Sequence, residues 1–242
     1  MKKRVLITGA SRGIGRGIAL ACAKQGYDLI LTCVNEIEKL REVEQICSSM
    51  GSSCLLYQGD IGDSTCVAEL FTMIENKWEG IDVLINNAGI SYIGLLTDMT
   101  DEEWNRMIQT NLSSVFYCAR AAVPYMVRQK KGRIINISSM WGNVGASCEV
   151  AYSATKGGVN SFTKALAKEL APSNIQVNAL ALGVIDTEMN HCFSEDERNA
   201  LIEEIPMGRM GMPEEVGDMI VSMIEGPAYL TGQVITVDGG YL

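Results

Sequence analysis

The sequence predicts an α/β protein with one domain, residues 1–242, built on a doubly wound parallel sheet of about seven strands with helices on both faces. Strand-like and helix-like runs alternate along the whole chain, which is the pattern of a parallel sheet with crossover helices. Runs such as 81–85 are almost continuously apolar, as in strands that helices cover on both sides. A chain of 242 residues with 47% hydrophobic and 20% charged residues is large enough for one such domain and its core.

The strands are predicted from short runs rich in Val, Ile and Leu that turn residues separate. In chain order they cover residues 4–8, 28–32, 53–58, 81–86, 132–138, 175–180 and 233–237. The helices are predicted from longer runs with apolar residues on one face, such as Ile14, Ile18 and Cys22. They cover residues 14–25, 37–50, 64–78, 101–129, 152–170 and 213–225. In such a sheet a ligand binds at the carboxyl ends of the strands, near the point where the strand order reverses.

A long stretch after the sixth strand, residues 186–212, interrupts the alternation. Long loops in compact domains are often lids over a binding site. We therefore expect a substrate lid near 186–212, and a surface excursion with no role in substrate choice is the alternative.

A glycine-rich turn, T-G-A-S-R-G-I-G, follows the first strand and opens the first helix. Strand, glycine turn and helix together are the context of a dinucleotide-binding fingerprint. Gly9 allows a tight turn, Gly13 lets the backbone approach a pyrophosphate, and Gly15 lets the helix pack close to the sheet. The helix N-terminus also offers free N–H groups to phosphates. The spacing is G-x-x-x-G-x-G instead of G-x-G-x-x-G, so the glycines alone also fit an ordinary strand-to-helix turn.

Tyr152 and Lys156 are four residues apart on a predicted helix, and Ser139 precedes the tyrosine by 13 residues. Four residues make about one helical turn, so the phenol and the ammonium share one face. A cation beside a phenol favours the phenolate, and we expect Lys156 to lower the pKa of Tyr152 toward neutrality. Such a phenol is a general acid or base for carbonyl and alcohol chemistry. Taken alone, the pair also fits an exposed pair that supports the helix.

Together these motifs resemble the short-chain dehydrogenase/reductase family, and the resemblance extends over essentially the whole chain. The sequence N-N-A-G follows the fourth strand at 86–89, T-N-L-S-S-V-F lies at 110–116, and the tail contains Y-L-T-G-Q and V-D-G-G. Within the family, residues 8–15, 101–116 and 132–135 are most similar to 3-oxoacyl-[acyl-carrier-protein] reductases. The resemblance implies a Rossmann fold and a nicotinamide dinucleotide as cofactor.

The resemblance also implies four catalytic residues. Tyr152 would donate its proton to a substrate carbonyl oxygen as hydride arrives from the nicotinamide, and Lys156 would also hold the nicotinamide ribose. Ser139 would hydrogen-bond the substrate oxygen. Asn111 would hold a water behind the lysine, or would tie down a helix kink as a buried amide, and both roles can hold at once.

Further residues would bind the cofactor by the same resemblance, some in the glycine turn and some after later strands. Asp60 and Ile61 would lie at the adenine edge, and Ile185 and Thr187 at the nicotinamide carboxamide. The full implied set is Gly9, Ser11, Arg12, Gly13, Ile14, Gly15, Asp60, Ile61, Asn87, Ala88, Gly89, Tyr152, Lys156, Ile185 and Thr187.

The cofactor is predicted to be NADP(H). NAD-dependent enzymes of this kind usually place an acidic side chain after the second strand, where it binds both ribose hydroxyls. Residues 31–35 contain no carboxylate, and the first one is Glu36. Arg12 can pair with a 2′-phosphate, although it also fits a solvated turn residue. Val34 stands where many NADPH-dependent relatives carry a second basic residue or a threonine.

The expected reaction is the NADPH-dependent reduction of a 3-oxoacyl thioester to the 3-hydroxyacyl product in fatty acid synthesis. Three departures from the family pattern keep an alternative open, namely a reductase or alcohol dehydrogenase for a steroid, a sugar or a small ketone. Leu182 replaces the proline of a Pro-Gly pair and would free a backbone bend. Glu149 replaces a typical glutamine, and Trp141 is bulkier than expected. A nucleotide sensor without catalysis is disfavoured because the four catalytic residues are all present.

Composition and charge narrow the function classes further. The net charge of −9 argues against binding to nucleic acid, and no apolar run approaches the roughly 20 residues of a membrane span. Eight cysteines are scattered singly, and His191 is the only histidine, so we predict neither disulfides nor a metal site. We expect a cytoplasmic protein.

Two partners are expected. Arg128, Lys130 and Lys131 form a basic patch that could dock an acidic acyl carrier protein, or could simply offset the dipole of the preceding helix. Relatives usually form tetramers, so we expect a homotetramer that pairs helices 101–129 and 152–170. The alternative is that the apolar faces of these helices are buried within one subunit.

Overall fold

Seven parallel strands form one sheet in the computed structural model, which describes residues 2–242, with the backbone only at positions 191 and 192. The strands run in the spatial order β3-β2-β1-β4-β5-β6-β7. They are β1 (Arg4–Ile7), β2 (Asp28–Cys33), β3 (Cys54–Gln58), β4 (Val83–Asn86), β5 (Gly132–Ser139), β6 (Ile175–Leu182) and β7 (Val234–Val237). The order reverses between β1 and β4, which creates the crevice in which doubly wound folds bind ligands. The predicted fold class is confirmed.

Nine α-helices surround the sheet within the described residues. They are α1 (Gly13–Lys24), α2 (Ile37–Ser49), α3 (Ser64–Trp78), α4 (Asp101–Ile108), α5 (Ser114–Gln129), α6 (Trp141–Val144), α7 (Val150–Leu170), α8 (Glu195–Glu203) and α9 (Pro213–Glu225). Helices α1, α2 and α9 bury their apolar faces against one side of the sheet, and α3, α5 and α7 against the other. The near-continuous apolar strands are explained by this double cover.

The predicted helix 101–129 is not continuous. A π-helical turn, Gln109–Ser113, separates α4 from α5. Asn111 lies in this turn, where its amide hydrogen-bonds the backbone of Ile90 in the loop after β4. A long-range contact of this kind cannot be read from helical periodicity, although π turns often occur at functional sites.

Residues 186–212 contain regular structure that the sequence interpretation missed. A 3-10 helix covers Glu188–Cys192, and α8 follows it. Ser194 and Glu197 form a capping box at the start of α8, a signal that the printed sequence S-E-D-E carries. Because α8 buries none of its described residues, it lacks the apolar stripe by which the other helices were recognised.

Candidate active site

The glycine turn and the loop after β4 are joined by the side chains of Thr8 and Asn87. The Thr8 hydroxyl accepts hydrogen bonds from the backbone N–H groups of Asn87 (2.9 Å) and Ala88 (3.0 Å). The Asn87 amide donates to the carbonyl oxygens of Thr8 (2.8 Å) and Gly9 (3.0 Å). These bonds hold the carboxyl ends of β1 and β4 together at the crevice, where the fold predicts a ligand.

Two glycines in the turn are required by its geometry. Gly9 has a φ of 66°, a left-handed conformation that favours glycine. A Cβ at Gly15 would lie 2.1 Å from the carbonyl oxygen of Gly9, so no other side chain fits where α1 leaves the turn. Helix α1 has no side-chain cap and no acidic residue in its first turn, so its N-terminal N–H groups are available to an anion.

A cleft of about 580 Å³ opens between the glycine turn, the start of α2 and the first residues of the predicted lid. Three cations line it, namely Arg12, Arg16 and Lys39. Its lining also includes Ser11, Gly13, Glu42, Asp186, Thr187 and Glu188. Free helix N–H groups and three cations are the donor set that a dinucleotide with an additional phosphate needs, so these residues fit NADP(H).

Lys39 is a cation that the sequence interpretation missed, because Val34 was taken to leave the second basic position empty. Val34 is exposed at the end of β2, and Lys39 reaches the same region from the first turn of α2. Its ammonium lies 3.6 Å from carboxylates of both Glu36 and Glu188. The signal in the sequence was the position of Lys39 in the first turn of the helix that follows β2.

The other expected cofactor residues are distributed along the same edge. The carboxylate of Asp60 accepts a hydrogen bond from Gly62 N–H (2.8 Å), so it shapes its own loop, while Ile61 is buried. The neighbouring Asp63 caps α3, as its position before a helical run suggests.

Ile185 is buried and pairs with Gly211. Thr187 faces Gly13 so closely that a Cβ on the glycine would lie 3.4 Å from its methyl group. Ile14 packs partly buried against the core beneath the turn.

Ser139, Tyr152 and Lys156 come together where β5 ends and α7 packs on it. Ser139 is the last residue of β5, and Tyr152 and Lys156 lie on α7. The Ser139 hydroxyl lies near enough to Tyr152 to lower the pKa of the phenol, and the Lys156 ammonium lies 5.5 Å from the centre of the tyrosine ring. Lys156 is 4% exposed and donates to the carbonyl oxygen of Ile137 at 2.9 Å. The helical spacing thus produces one constellation, as the sequence predicts.

The pKa of Tyr152 differs from the expectation. In the protein without nucleotide it is raised to about 12, first by burial and then by the negative charge of Glu149, while the Ser139 hydrogen bond lowers it. The prediction that Lys156 lowers it toward neutrality is therefore wrong for this state. Lys156 is itself buried, and burial lowers its pKa to about 8, so its charge is weakened where the tyrosine would need it.

Asn111 is buried close to Lys156, and both the nitrogen and the oxygen of its amide have hydrogen-bond partners. It accepts from Ile90 N–H (2.8 Å) and donates to the Ile90 carbonyl (2.8 Å) and toward the Thr155 hydroxyl (3.3 Å). A Cβ on Gly89 would lie 3.3 Å from the Asn111 carbonyl oxygen and 3.6 Å from the Lys156 ammonium. Gly89 therefore lets the two side chains approach the backbone, and the buried amide ties down the π turn.

The positions that depart from the family pattern border the same site. Glu149 is half-buried, and its pKa is raised by burial and lowered by the nearby Trp141 side chain, with burial the larger effect. The Trp141 ring packs edge-on against Tyr241 at 5.7 Å. Leu182 does not free a bend as expected, since it is buried at the end of β6 and its carbonyl accepts from Met140 N–H at 2.8 Å.

Neither a membrane span nor a metal cluster is found in the described part of the chain. No helix there is long and apolar enough to cross a bilayer. Residues 2–242, apart from the two side chains that are not described, contain no group of three His, Cys, Asp or Glu side chains arranged to hold a metal ion. The seven cysteines with described side chains are all free.

Comparison with known proteins gives similar sequences over the full length. The family model described as Enoyl-(Acyl carrier protein) reductase matches residues 9–242. The chain is 39% identical over 243 residues to the uncharacterized oxidoreductase YmfI of Bacillus subtilis (strain 168), covering 100% of this chain and 99% of that protein. It is also 39% identical over 241 residues to the 3-oxoacyl-[acyl-carrier-protein] reductase FabG of Staphylococcus aureus (strain Mu50), covering 99% of this chain and 98% of FabG.

A solved structure is similar in fold as well. The crystal structure of YwfH, an NADPH-dependent reductase involved in bacilysin biosynthesis, superimposes with a TM-score of 0.95 at 27% sequence identity. The similarity covers 100% of this chain and 99% of YwfH.

Proposed function

The chain belongs to the short-chain dehydrogenase/reductase family and is an oxidoreductase that uses NADP(H), and we propose that it reduces a 3-oxoacyl thioester to the 3-hydroxyacyl product. The observation that carries this proposal is the full-length similarity to FabG, a 3-oxoacyl-[acyl-carrier-protein] reductase, at 39% identity. We further propose that an acyl carrier protein holds the substrate, and that the enzyme acts in cytoplasmic fatty acid synthesis.

The geometry supports proton transfer in the direction of reduction. NADPH, when bound, supplies the hydride. Because the pKa of Tyr152 is raised to about 12, its phenol keeps a proton at neutral pH and can donate it to the carbonyl oxygen. The Ser139 hydroxyl, which lies near that phenol, would hydrogen-bond the same oxygen.

Lys156 is the residue that can return a proton to Tyr152. Its pKa of about 8 lies close to neutrality, so it gains and loses a proton easily at physiological pH. Asn111 would keep a water within reach of the lysine, while its own hydrogen bonds to Ile90 fix the backbone behind the site. The four residues are thus proposed to form a proton relay from solvent to substrate.

Apolar side chains at the entrance support an acyl substrate. Ile93, Leu95 and Leu96 are each at least half exposed in the loop after β4. A hydrogen bond of 2.9 Å from Gly94 N–H to the Cys148 carbonyl links this loop to the segment that precedes Tyr152. Exposed apolar groups beside a polar catalytic centre are suited to a substrate with a reactive head and an aliphatic chain.

The proposed carrier patch lies at the opposite edge of the sheet from the chemistry. Arg128, Lys130 and Lys131 precede the first residue of β5, whereas Ser139 is its last residue. Eight residues of strand separate the two ends by roughly 23 Å. A carrier bound at this patch would therefore serve the active site of another subunit. We propose a homotetramer, in which such an arrangement is possible.

A second candidate function is the reduction of a different ketone, and Glu149 favours it. Its carboxyl group lies near enough to Tyr152 to raise the tyrosine's pKa, and Trp141 borders it. A carboxyl group beside the reacting centre could bind a hydroxyl or amine of the substrate, and a simple 3-oxoacyl chain has neither.

The test is NADPH oxidation with an acetoacetyl thioester, followed by absorbance, with NADH in parallel. We expect turnover with NADPH and little with NADH. The Tyr152→Phe enzyme should lose at least about a hundredfold in kcat, as expected for removal of a general acid, and should still bind NADPH. Tyr229→Phe, a change at a fully exposed ring, is the matched control. NADPH binding without turnover in the unmodified enzyme would favour the second candidate, and near-normal turnover of Tyr152→Phe would refute the mechanism.

A further inference from the structure

Glu188 joins the first turn of the predicted lid to the nucleotide site. Its carboxylate oxygen Oε2 accepts a hydrogen bond from Arg12 Nη1 at 2.7 Å and lies 3.6 Å from Lys39 Nζ. The two cations come from different elements, the glycine turn and α2, so the carboxylate bridges both to the lid. The hydrogen bond from Arg12 and then the positive charges of Lys39 and Arg12 lower the pKa of Glu188.

Arg12 and Lys39 together form the anion position at which a 2′-phosphate would bind. They lie in the cleft beside the glycine turn, and Lys39 belongs to the first turn of the helix that follows β2. NAD-dependent relatives carry an acidic residue after that strand. Val34 occupies that position here, and the first carboxylate after it, Glu36, lies 3.6 Å from Lys39. Two cations near one position, with no acidic side chain directly after β2, favour a phosphate over a ribose hydroxyl.

We propose that Glu188 is an internal competitor of the 2′-phosphate: its carboxylate holds the anion position of Arg12 and Lys39 and must leave before the phosphate binds there. Binding of NADPH then releases the first turn of the lid from the glycine turn, whereas NADH, without this phosphate, leaves the bridge in place. This inference rests on the use of NADP(H) by the enzyme.

The expected change in affinity for a 2′-phosphate depends on how exposed the side chains of Glu188 and its cation partners are. The side chains of Arg12 and Glu188 are 55% and 42% exposed, so water and salt weaken their attraction. An exposed ion pair of this kind typically changes the equilibrium constant of the process that breaks it by about 1.4- to 5-fold. With two cations involved, removal of the Glu188 charge should tighten binding of a 2′-phosphate by about three- to tenfold.

The lid base has its own anchors, so a variant at Glu188 should fold. Asp186 N–H donates to the Gly211 carbonyl at 2.8 Å, and its carboxylate pairs with Arg198 at 3.0 Å. The Asn190 amide donates to the Ile185 carbonyl at 2.7 Å. None of these contacts involves Glu188.

The test measures binding of adenosine 2′,5′-bisphosphate and of adenosine 5′-monophosphate by calorimetry to the full chain. We compare the unmodified protein, Glu188→Gln, and Glu195→Gln, an exposed carboxylate at the start of α8. The expected result is three- to tenfold tighter binding of the bisphosphate by Glu188→Gln, no change for the monophosphate, and no change for either ligand in Glu195→Gln. Unchanged or weaker binding of the bisphosphate by Glu188→Gln would overturn the proposal.

The same experiment separates this proposal from its premise. If the unmodified protein binds both nucleotides equally well, no 2′-phosphate site exists and the preference for NADPH fails together with the competitor. If it prefers the bisphosphate but Glu188→Gln does not differ, only the competitor is refuted. Hydrogen exchange of residues 186–200 provides a second readout, since Glu188→Gln should exchange faster than the free unmodified protein and as fast as its bisphosphate complex. Equal exchange in all three would refute release of the lid.

Discussion

Replacing Lys156 by methionine should stabilise the free protein while removing its activity. The ammonium is 4% exposed, and burial lowers its pKa from 10.5 to about 8. A lysine whose pKa is lower in the folded state binds protons more weakly there than in the unfolded chain. Below pH 8 the buried ammonium therefore lowers the free energy of unfolding, and this loss of stability decreases as the pH rises from 8 to 10.5.

The magnitude follows from the difference in pKa. The lowered pKa of Lys156 reduces the free energy of unfolding by about 3 kcal/mol at pH 7 and by about 2 kcal/mol at pH 9. The substitution also loses the hydrogen bond to the Ile137 carbonyl, which is worth about 1 kcal/mol. Lys156→Met should therefore be more stable than the unmodified protein by about 2 kcal/mol at pH 7, and by about 1 kcal/mol at pH 9.

Urea unfolding of the nucleotide-free proteins at the two pH values measures this difference. Other titrating groups, including the buried cysteines with raised pKa values, are common to both proteins and cancel. Lys164→Met, at an exposed lysine of the same helix, is the matched control and should show no comparable gain. A Lys156→Met protein that is destabilised, or whose advantage does not shrink between pH 7 and pH 9, would refute the assignment of a costly buried ammonium.

Three further outcomes can be measured. Asn136→Ala should lower the free energy of unfolding by about 2 kcal/mol, because it leaves the buried amide nitrogen of Asn86 without its acceptor and removes one hydrogen bond to Thr163, whose hydroxyl still donates to the Val159 carbonyl; a loss no larger than that of the exposed control Asn105→Ala in urea unfolding would contradict this. Arg12→Ala should weaken NADPH binding much more than NADH binding in a fluorescence titration, and Lys39→Ala should have a smaller effect in the same direction. Equal losses of affinity for both nucleotides would show that these cations do not bind the 2′-phosphate. Charge reversal at Arg128 and Lys131 should raise the KM for a carrier-bound substrate and spare a small thioester, and an equal response of both substrates would exclude docking at this patch.

Several features of the site could be predicted because they depend on residues close in sequence. The glycine turn needs a left-handed Gly9 and an unhindered Gly15, and both requirements are local to residues 8–15. Tyr152 and Lys156 share a helix face because they are one turn apart. Ser139 joins them because β5 ends there, and the carboxyl ends of parallel strands meet at one edge.

Other features required distances between residues far apart in the chain. The break at Gln109–Ser113 depends on the bond between Asn111 and Ile90, which periodicity cannot show. Lys39 became a candidate only when folding brought it beside Glu188. The proposed basic patch precedes the first residue of β5, whereas Ser139 is the last residue of that strand.

The sequence by itself determined the seven strands, the helices that cover the sheet and the glycine turn, because these follow from local backbone preferences and from the spacing of apolar and polar residues. The proposed catalytic side chains came from the resemblance to the family. Only the tertiary structure decided the protonation of Tyr152 and Lys156 and the bridge from Glu188 to Arg12 and Lys39. The physical reason is that a pKa and an ion pair depend on burial and on the distance between charges in space. Neither the shift of a pKa nor the ion pair is determined until distant parts of the chain are packed together.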